Sequence, residues 1–422
     1  MIYKPTRKLY DEDAYATTFL GSVVALNLIE DKELGASDKI KADIILDKTL
    51  FFPEEGGQNS DKGTMTIGDY NFRVVHVSLE QSQNGDVIHH IIELDEDISE
   101  VEWPDIHETL EKCIGENVSG ELDWKDRFDK MQNHSGEHIL SGIIHNEYGY
   151  DNVGFHLNDE VFTMDFNGTF TKEQVEFIET RANEIVYENV SIKASYYTND
   201  QLENMSYRSK KTFDNAVRIV TIGEYDACAC CAPHVKTTAE IGVIKIIKSE
   251  SWKGGTRFTV ICGRRAYKDY AKKQQTVHHI SNQFSTSDDM IIDIIDTMKK
   301  SLTVAEYQLS LLQTDTLFMQ LTGTAVLDMD KPVLIFTNVS NQGAVRTAVD
   351  RAMNEYTRCI FGVLNGDDKE GYRYLFGSRD RDVKAILGDT LAKLGAKGGG
   401  NKDMLQGMLK ATKDVIKTQL SF

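Results

Sequence analysis

The stretch from Trp124 to Glu147 contains His134-Ser135-Gly136-Glu137-His138, in which three residues separate two histidines. The stretch has no proline and repeats its apolar side chains at intervals of three and four, which predicts an α-helix. Residues i and i+4 share one face of a helix, so both imidazoles can reach a single metal ion. The sequence therefore predicts a helix that carries half of a metal site.

A second pair with the same separation occurs in Cys230-Cys231-Ala232-Pro233-His234, after a predicted strand. The two pairs together offer imidazole nitrogens and a thiolate, a donor set that selects zinc over magnesium or calcium. Four protein ligands close a structural zinc site, whereas a catalytic site leaves a position for water or substrate. The candidate ligands His134, His138, Cys230 and His234 are compatible with either kind of Zn²⁺ site.

Glu137 directly precedes His138, and a glutamate beside a metal site can take a proton from water, which makes it the candidate catalytic residue. The alternative is a solvated carboxylate on the helix surface. Taken alone, His-x-x-Glu-His is also the signature of a class of metallopeptidases. Such an enzyme would take its third ligand from a later helix, where Glu176 or Glu179 is available.

The composition excludes several classes of protein. The chain has 422 residues, of which 41% are hydrophobic and 27% charged, enough for several domains with real cores and unlike a disordered or collagen-like chain. No apolar run has the length of a membrane span. Six cysteines, three of them clustered between 228 and 231, do not form a disulfide framework. We expect a soluble, cytoplasmic protein in a reducing compartment, with no membrane partner.

Charge is distributed unevenly along the chain. Residues 1–130 contain 13 Lys and Arg against 29 Asp and Glu, whereas the last 42 residues contain eight basic and four acidic residues. A basic tail on an acidic protein favours contact of the C-terminal half with RNA, although a solvated basic helix is an equally simple explanation.

Short apolar runs separated by Gly, Asp and Asn fill the chain from Thr17 to Glu93, as in a small β-barrel or sandwich. The predicted strands are Ser22–Leu28, Lys41–Ile45, Asn71–Ser78 and Val87–Leu94. A loop after the second strand contains Gly56-Gly57-Gln58, where adjacent glycines permit a close approach to a ligand or form an ordinary turn.

The middle of the chain predicts an α+β unit. Its predicted elements are a helix after a capping box at Thr171-Lys172-Glu173-Gln174 and strands at Ser191–Tyr197, Ala216–Ile222, Ile241–Lys248 and Arg257–Cys262. Residues 267–314 contain no proline and predict helices that form a spacer or a dimer contact.

The tail predicts a separate α/β module with alternating strands and helices. Near its end, Gly398-Gly399-Gly400-Asn401-Lys402 precedes a last predicted helix that ends at Thr418. Glycines before a helix expose amides that suit a phosphate, or they form a hinge. The predicted fold class is multidomain α+β: a small β-barrel (1–105), a zinc-containing α+β domain (106–265), a helical spacer (266–320) and an α/β module with a Gly-rich loop (321–422).

These motifs together resemble the alanyl-tRNA editing proteins called AlaX, relatives of the editing and C-terminal domains of alanyl-tRNA synthetase. The resemblance rests on the two metal motifs in this order with the Gly-Gly-Gln loop upstream. Supporting segments are Leu46-Asp47-Lys48-Thr49, Val153-Gly154-Phe155-His156-Leu157 and Arg257 to Gly263. The triple glycine at Gly398 is similar to the C-terminal module of the synthetase, which indicates the long AlaX form.

The resemblance implies an aminoacyl-tRNA deacylase that removes serine or glycine from mischarged tRNA(Ala), with 106–265 as its editing domain. By position it implies zinc ligands at His134, His138, Cys230 and His234. It also implies a substrate pocket formed by Thr49, Gly56, Gly57, Gln58 and His156. The chain starts in the barrel, so we expect editing without aminoacylation, and a homodimer through the spacer or the C-terminal module.

Residues expected to contact the tRNA are basic or lie in the glycine run. They are Arg208, Lys210, Lys211, Arg257, Gly398, Gly399, Gly400 and Lys402. Each basic residue alone is better explained as a plain surface charge.

The sequence also departs from the family pattern. The turn that is usually Cys-Gly-Gly-Thr-His is Cys-Cys-Ala-Pro-His here, so Cys231 is a second thiol that competes with Cys230 as a ligand. Glu137 replaces a threonine, which leaves the preference between serine and glycine open. Two further alternatives stand: a tRNA-binding module with a structural zinc, and a threonyl-type editing domain, which shares both metal motifs.

Overall fold

The structure is a computed structural model. It describes residues 3–29, 41–82, 85–94, 108, 110, 112–203, 205–209, 216–325 and 332–420. The chain divides into two compact units, Met1–Thr276 and Val277–Phe422. None of the helices in the described residues is long and apolar enough to cross a bilayer.

A closed six-stranded barrel with the strand order β2-β3-β7-β6-β5-β8 begins the first unit. The elements of this region are β1 (Arg7–Lys8), α1 (Leu9–Glu12), β2 (Thr18–Ile29), β3 (Lys41–Leu46), β4 (Lys48–Thr49), β5 (Gly63–Ile67), β6 (Tyr70–Ser82), β7 (Gly85–Leu94) and β8 (Asn117–Leu122). The four predicted strands are present as β2, β3, β6 and β7. The sequence did not predict β5 or β8, and β8 lies beyond the boundary expected at residue 105.

The barrel encloses an apolar core. Burial alternates along β2, because successive side chains of a strand point to opposite faces. Phe51, Phe52 and Phe72 are at most 1% exposed. The first two precede the Gly-Gly-Gln loop, so the start of that loop is fixed by packing inside the barrel.

The rest of the first unit surrounds one long helix, α2. Its elements are α2 (Trp124–Tyr148), β9 (Asn152–Leu157), β10 (Phe162–Phe166), α3 (Lys172–Tyr187), β11 (Ile192–Tyr197), α4 (Asn199–Leu202), β12 (Val217–Ile222), β13 (Asp226–Ala229), β14 (Ile244–Trp252), β15 (Gly255–Cys262) and α5 (Gly263–Gln283). Two antiparallel sheets have the orders β14-β15-β10-β9 and β11-β12-β13. The predicted capping box at Thr171 is present at the start of α3.

Helix α2 is buried on nearly all sides. Asp123 caps its first turn by accepting a hydrogen bond from Asp126 N, and Gly149 ends it with φ at 67°. The sequence predicts one buried face, but every residue from Lys130 to Ile144 is buried. The reason is that α2 packs against β9, β13, β15 and α3 at once. Its polar residues are therefore held in the interior.

The second unit begins with helices. A 3₁₀ turn at Asp288–Met290 separates α5 from α6 (Ile291–Ala325), so the helical stretch predicted over 267–314 consists of two helices. Large apolar side chains remain exposed along α6, among them Met298, Tyr307 and Leu312. The dimer contact expected here stays a prediction.

The C-terminal module is a five-stranded sheet with the order β16-β17-β18-β20-β19 and helices packed on it. Its elements are β16 (Val333–Thr337), α7 (Gln342–Glu355), β17 (Phe361–Asp367), β18 (Gly371–Gly377), α8 (Val383–Lys393), β19 (Lys397–Gly400), β20 (Met404–Leu409) and α9 (Lys413–Leu420).

The glycine run corrects one prediction. Gly398, Gly399 and Gly400 form the edge strand β19, paired with β20, and do not form a loop before a helix. The prediction of a helix over Met404–Leu409 is wrong, because this segment is a strand in which Gly407 lies opposite Gly398. Glycine weakens a helix interior, whereas in a ladder it permits close backbone approach. The expected phosphate loop at a helix start is therefore absent from this run.

Candidate metal centre

Four predicted ligands converge at one point in the first unit. His134 and His138 come from α2, and Cys230 and His234 come from the loop after β13. One ligand atom of each lies within 4.8 Å of those of the others. Cys230 Sγ is 3.6 Å from His134 Nε2 and 3.4 Å from His234 Nε2. Within the described part of the chain, this cluster can hold a metal ion.

Each imidazole of the cluster is oriented by a hydrogen bond at its other nitrogen. His134 Nδ1 donates to Gln58 Oε1 at 2.8 Å, and His138 Nδ1 donates to Asp226 Oδ2 at 2.8 Å. His234 Nδ1 lies 3.0 Å from Ser135 Oγ. Amide and carboxylate oxygens only accept, so the first two rings carry their proton on Nδ1 and present an Nε2 lone pair. This second set of contacts is typical of metal-ligating histidines.

Burial disfavours the charged forms of two candidate ligands. Burial, reinforced by His138 and His134, lowers the pKa of His234 well below its usual value, so this ring is neutral. Burial and the nearby Cys231 raise the pKa of the Cys230 thiol well above its usual value. Ionised Cys230 would leave a buried negative charge uncompensated, which a divalent metal ion corrects.

Cys231 does not join the cluster. Its thiol faces the loop, where a side-chain atom at Gly56 would lie 3.4 Å from Cys231 Sγ. Burial and the carboxylate of Glu55 raise the pKa of Cys231 to about 12. Of the two adjacent thiols, the structure therefore places Cys230 beside the histidines and turns Cys231 toward the barrel loop.

Glu137 is a buried carboxylate beside the cluster. Its Oε1 accepts from Ser141 Oγ at 2.6 Å and from Asn152 Nδ2 at 2.7 Å. Its Oε2 lies 3.8 Å from His138 Nε2. Burial opposes ionisation, but His138 and Arg208 outweigh it, and the pKa of Glu137 lies below its usual value. Glu137 is thus a buried carboxylate held by hydrogen bonds, with one oxygen near the ligand nitrogen of His138, and it is not solvated.

The Gly-Gly-Gln loop reaches the cluster through Gln58. Gly57 has φ at 83°, and a Cβ there would lie 2.4 Å from Phe155 O, so only glycine fits. Leu157 N donates to Gly57 O at 2.7 Å, which joins the loop to β9. Gln58 is fully buried, and among the described residues no acceptor pairs with its Nε2. A buried donor of this kind is one that a ligand can satisfy.

Two buried cations of α2 hold this loop in place. Arg127 forms an ion pair with Asp61 and donates to Leu50 O at 2.6 Å. Lys130 donates to Ser60 O at 2.6 Å. The helix that carries two ligands therefore also fixes the segment that carries Gln58.

Thr49 is fully buried inside the barrel, where its hydroxyl already has partners. Phe51 N donates to Thr49 Oγ1 at 3.1 Å, and His90 Nε2 lies 2.9 Å from the same oxygen. His90 Nδ1 donates to Ile44 O, so Nε2 accepts the Thr49 proton. Thr49 fixes the strand before the loop, and its role in substrate binding stays a prediction.

Strand β9 contains His156, the residue expected to contact the substrate, and its neighbour Phe155, which the sequence did not single out. His156 is exposed, with its side chain on the opposite face of the strand from Phe155. The ring of Phe155 lies 4.7 Å from the ring of His134. Phe155 is therefore the residue of β9 that contacts the cluster.

The predicted tRNA contacts lie in several places. Arg208 is paired with Asp226, and Arg257 is paired with Asp165 and stacks 3.8 Å above the Trp252 ring. Lys210 and Lys211 lie outside the described residues. Gly398, Gly399, Gly400 and the exposed Lys402 belong to the second unit. Their contact with RNA stays a prediction.

Sequence reasoning missed the side chains that support the cluster. They are Ser135, Ser141, Asn152 and Asp226. Ser135 stands inside a recognised motif, and Ser141 lies four residues after Glu137 on the same helix, so helical spacing could have indicated it. Asn152 and Asp226 reach the site only through packing. The carboxylates considered for a peptidase are engaged elsewhere: Glu176 pairs with Lys172 and Glu179 with Lys245. The geometry therefore favours the Cys-His pair as the partner of the helix.

Sequence comparison confirms the resemblance. Residues 217–258 match the family described as "Threonyl and Alanyl tRNA synthetase second additional domain", and residues 3–104 match "tRNA synthetases class II (A)". The first match includes Cys230 and His234. The chain is similar both to alanyl-tRNA editing proteins and to alanine–tRNA ligases.

Three relatives illustrate this similarity. The alanine–tRNA ligase of Ignicoccus hospitalis is 28% identical over 94% of this chain, which spans only 40% of the ligase. The alanyl-tRNA editing protein AlaX-L of Pyrococcus horikoshii is 25% identical over 90% of this chain and 91% of that protein. The alanyl-tRNA editing protein Aarsd1-B of Xenopus laevis is 29% identical over 69% of this chain and 66% of that protein.

Proposed function

We propose that this chain, similar along most of its length to alanyl-tRNA editing proteins, hydrolyses the ester of mischarged tRNA(Ala) and releases serine or glycine. The observation that supports this proposal most directly is the position of Glu137 beside the four converging ligands. A buried carboxylate beside a metal site is a suitable acceptor for a proton from water.

The donor set fits zinc. Imidazole nitrogens and one thiolate are ligands that zinc prefers, and hard cations such as magnesium prefer oxygen. The oriented rings of His134 and His138 leave Nε2 available as the ligand atom. A zinc ion held there supplies a Lewis acid that polarises a carbonyl oxygen or promotes ionisation of water.

The protein's own groups supply the proton transfer and the positioning. Glu137 Oε2 takes the proton of the attacking water, while Ser141 and Asn152 hold Oε1 in place. Water adds to the ester carbonyl carbon, the bond to the ribose oxygen breaks, and the proton passes to that oxygen. The unpaired Nε2 of Gln58 donates to the bound aminoacyl end.

The substrate choice follows from the limits of binding selectivity. A pocket for alanine cannot strongly reject glycine, which is smaller, or serine, which adds one hydroxyl. A second, hydrolytic site removes such errors after they form. Because Glu137 replaces the threonine of the synthetase pattern, the relative rates on serine and glycine require measurement.

The direct test is a deacylation assay with seryl-, glycyl- and alanyl-tRNA(Ala). We expect zinc-loaded protein to cleave the serine or glycine ester and to spare alanine, and a chelated sample to lose this activity. Seryl-tRNA(Thr) is included because the matched family covers threonyl as well as alanyl synthetases. Cleavage of that substrate alone would replace our proposal with threonyl-type editing.

One observation favours a second candidate, a tRNA-binding module with a structural zinc. Four protein donors are enough to close a tetrahedral site. If folded, zinc-loaded protein binds tRNA(Ala) but cleaves none of the esters, this candidate is correct and the deacylase proposal is wrong.

A further inference from the structure

Two sets of metal-ligating groups share His138. The first is the cluster with His134, Cys230 and His234. The second consists of His138, Asp226 and Cys228, whose ligand atoms also lie within 4.8 Å of one another. A carboxylate, a thiol and an imidazole form an adequate zinc site by themselves. The protein therefore needs a means of confining a metal ion to one set.

Arg208 binds the carboxylate that belongs to the second set. Arg208 Nε donates to Asp226 Oδ1 at 2.7 Å, and Nη2 donates to Asp226 Oδ2 at 2.9 Å. This is the bidentate geometry in which a guanidinium binds both oxygens of a carboxylate. The same Oδ2 accepts the hydrogen bond of His138 Nδ1. Every oxygen of Asp226 is thus engaged by a donor.

The backbone fixes Arg208 in this place. Arg208 N donates to Ala227 O at 2.8 Å, and Ala229 N donates to Arg208 O at 2.9 Å. The segment is added beside β13 as a short parallel bridge, with Arg208 opposite Cys228. The guanidinium is therefore held next to Asp226 and Cys228 of the second set, where its charge opposes a cation.

We propose that Arg208 is a positioning residue that selects the metal site. It holds Asp226 as the hydrogen-bond acceptor of His138 Nδ1, so that Nε2 of the same ring serves the His134, Cys230 and His234 set. Without Arg208, Asp226 and Cys228 become ligands and compete for His138. This inference rests on the metal centre of the proposed function but not on ester hydrolysis.

Cobalt(II) tests the proposal, because its visible spectrum reports the number of thiolate ligands. The proteins to compare are wild type, Arg208→Gln, Arg208→Gln with Cys228→Ser, and Cys228→Ser alone. In wild type we expect a charge-transfer band from one thiolate, unchanged by Cys228→Ser. In Arg208→Gln we expect a second cobalt ion to bind at Asp226 and Cys228, which gives a stronger band per protein because each set contributes one thiolate. Because the two sets share His138, we also expect the affinity of the first set for cobalt to fall about 10- to 100-fold in chelator competition. Adding Cys228→Ser should return the band to the intensity of one thiolate.

Arg257→Gln is the matched control for this experiment. Arg257 makes the same two-bond contact with Asp165, at 2.6 and 2.7 Å, in the sheet that contains β10 and β15. We expect the cobalt spectrum of Arg257→Gln and its affinity for cobalt to equal those of wild type. Arg208→Lys keeps the charge but not the two-bond contact, so we expect a smaller increase of the band, and this variant provides the test if Arg208→Gln does not fold.

Three results would overturn the selection role. The first is a cobalt spectrum and a cobalt affinity in Arg208→Gln that equal those of wild type. The second is a band in Arg208→Gln that the added Cys228→Ser change does not reduce. The third is a changed spectrum in Cys228→Ser alone. Lack of deacylation by wild type would contradict the proposed function and leave these metal readouts intact, so the two failures are distinguishable.

Discussion

Glu137 shows how neighbouring residues fix the orientation of one buried carboxylate. Ser141 and Asn152 hold one carboxylate oxygen by hydrogen bonds, and the other faces His138. These contacts also fix the direction of the carboxylate within the buried helix. A substitution that keeps the shape of Glu137 but removes its charge therefore tests the role of the charge alone.

We expect Glu137→Gln to retain zinc and fold normally but to lose about 10²- to 10⁴-fold in kcat for deacylation, because the amide cannot accept the proton. Single-turnover hydrolysis and metal analysis provide the measurement. Glu147→Gln, at an exposed position of the same helix, is the control and should retain activity. Full activity of Glu137→Gln with zinc bound would exclude Glu137 as the base.

Gly57 and Gly68 permit a matched test of the loop. Both have positive φ, but a Cβ at Gly57 meets Phe155 O at 2.4 Å, whereas nothing lies within 4 Å of a Cβ at Gly68. We expect Gly68→Ala to lower the free energy of unfolding by about 1 kcal/mol and Gly57→Ala by about 3 kcal/mol. Denaturant titration measures both. Deacylation should fall only in Gly57→Ala, and equal effects would show that the contact with β9 is unimportant.

At the scale of elements, β3, β4 and β7 are joined by the buried pair of Thr49 and His90. Burial lowers the pKa of His90 to about 4. Between that value and about 6.5, the unfolded chain binds a proton that the folded chain does not. The contribution of His90 to stability is therefore complete above this range and is lost as the pH falls through it.

From His90 alone we expect the free energy of unfolding to fall by roughly 3 kcal/mol as the pH is lowered from 7 to 4. Denaturant titrations at several pH values, compared with His90→Gln, isolate this contribution because the variant should have a shallower pH dependence. The control is His76→Gln, since the His76 side chain is 44% exposed. A pH dependence that is identical in wild type and His90→Gln would contradict the assignment.

The elements also show what the sequence can predict. Helix α2, helix α3 with its capping box and four barrel strands follow from local patterns of apolar and capping residues. The triple glycine was misread because its conformation depends on β20, a partner strand rather than a local signal. The same applies at the site: the ligand pairs are local motifs, whereas Asp226 and Asn152 meet them only through tertiary packing.

At the scale of the whole molecule, the acidic first part and the basic tail predict where tRNA binds. Lys397, Lys402 and Lys410 are exposed in the second unit. We expect their simultaneous replacement by Glu to weaken tRNA(Ala) binding. We also expect the slope of log affinity against log salt concentration to become shallower by up to about one per lysine. Filter binding at several salt concentrations measures both quantities.

The control for this test reverses three exposed lysines of the first unit, Lys125, Lys172 and Lys193. Both triple variants have the same net charge, so a difference between them reports location. If the two lose affinity equally, long-range repulsion explains the effect and the tail has no special part in docking.

The hydrogen bond between Gln58 and His134 also bears on whether the barrel and the metal-bearing domain can be separated. The barrel provides the acceptor, and the neighbouring domain provides the ligand. A cut between the barrel and helix α2 would leave the ring of His134 without its orienting partner. We therefore expect neither half to keep the geometry of the candidate metal centre when it is produced without the other.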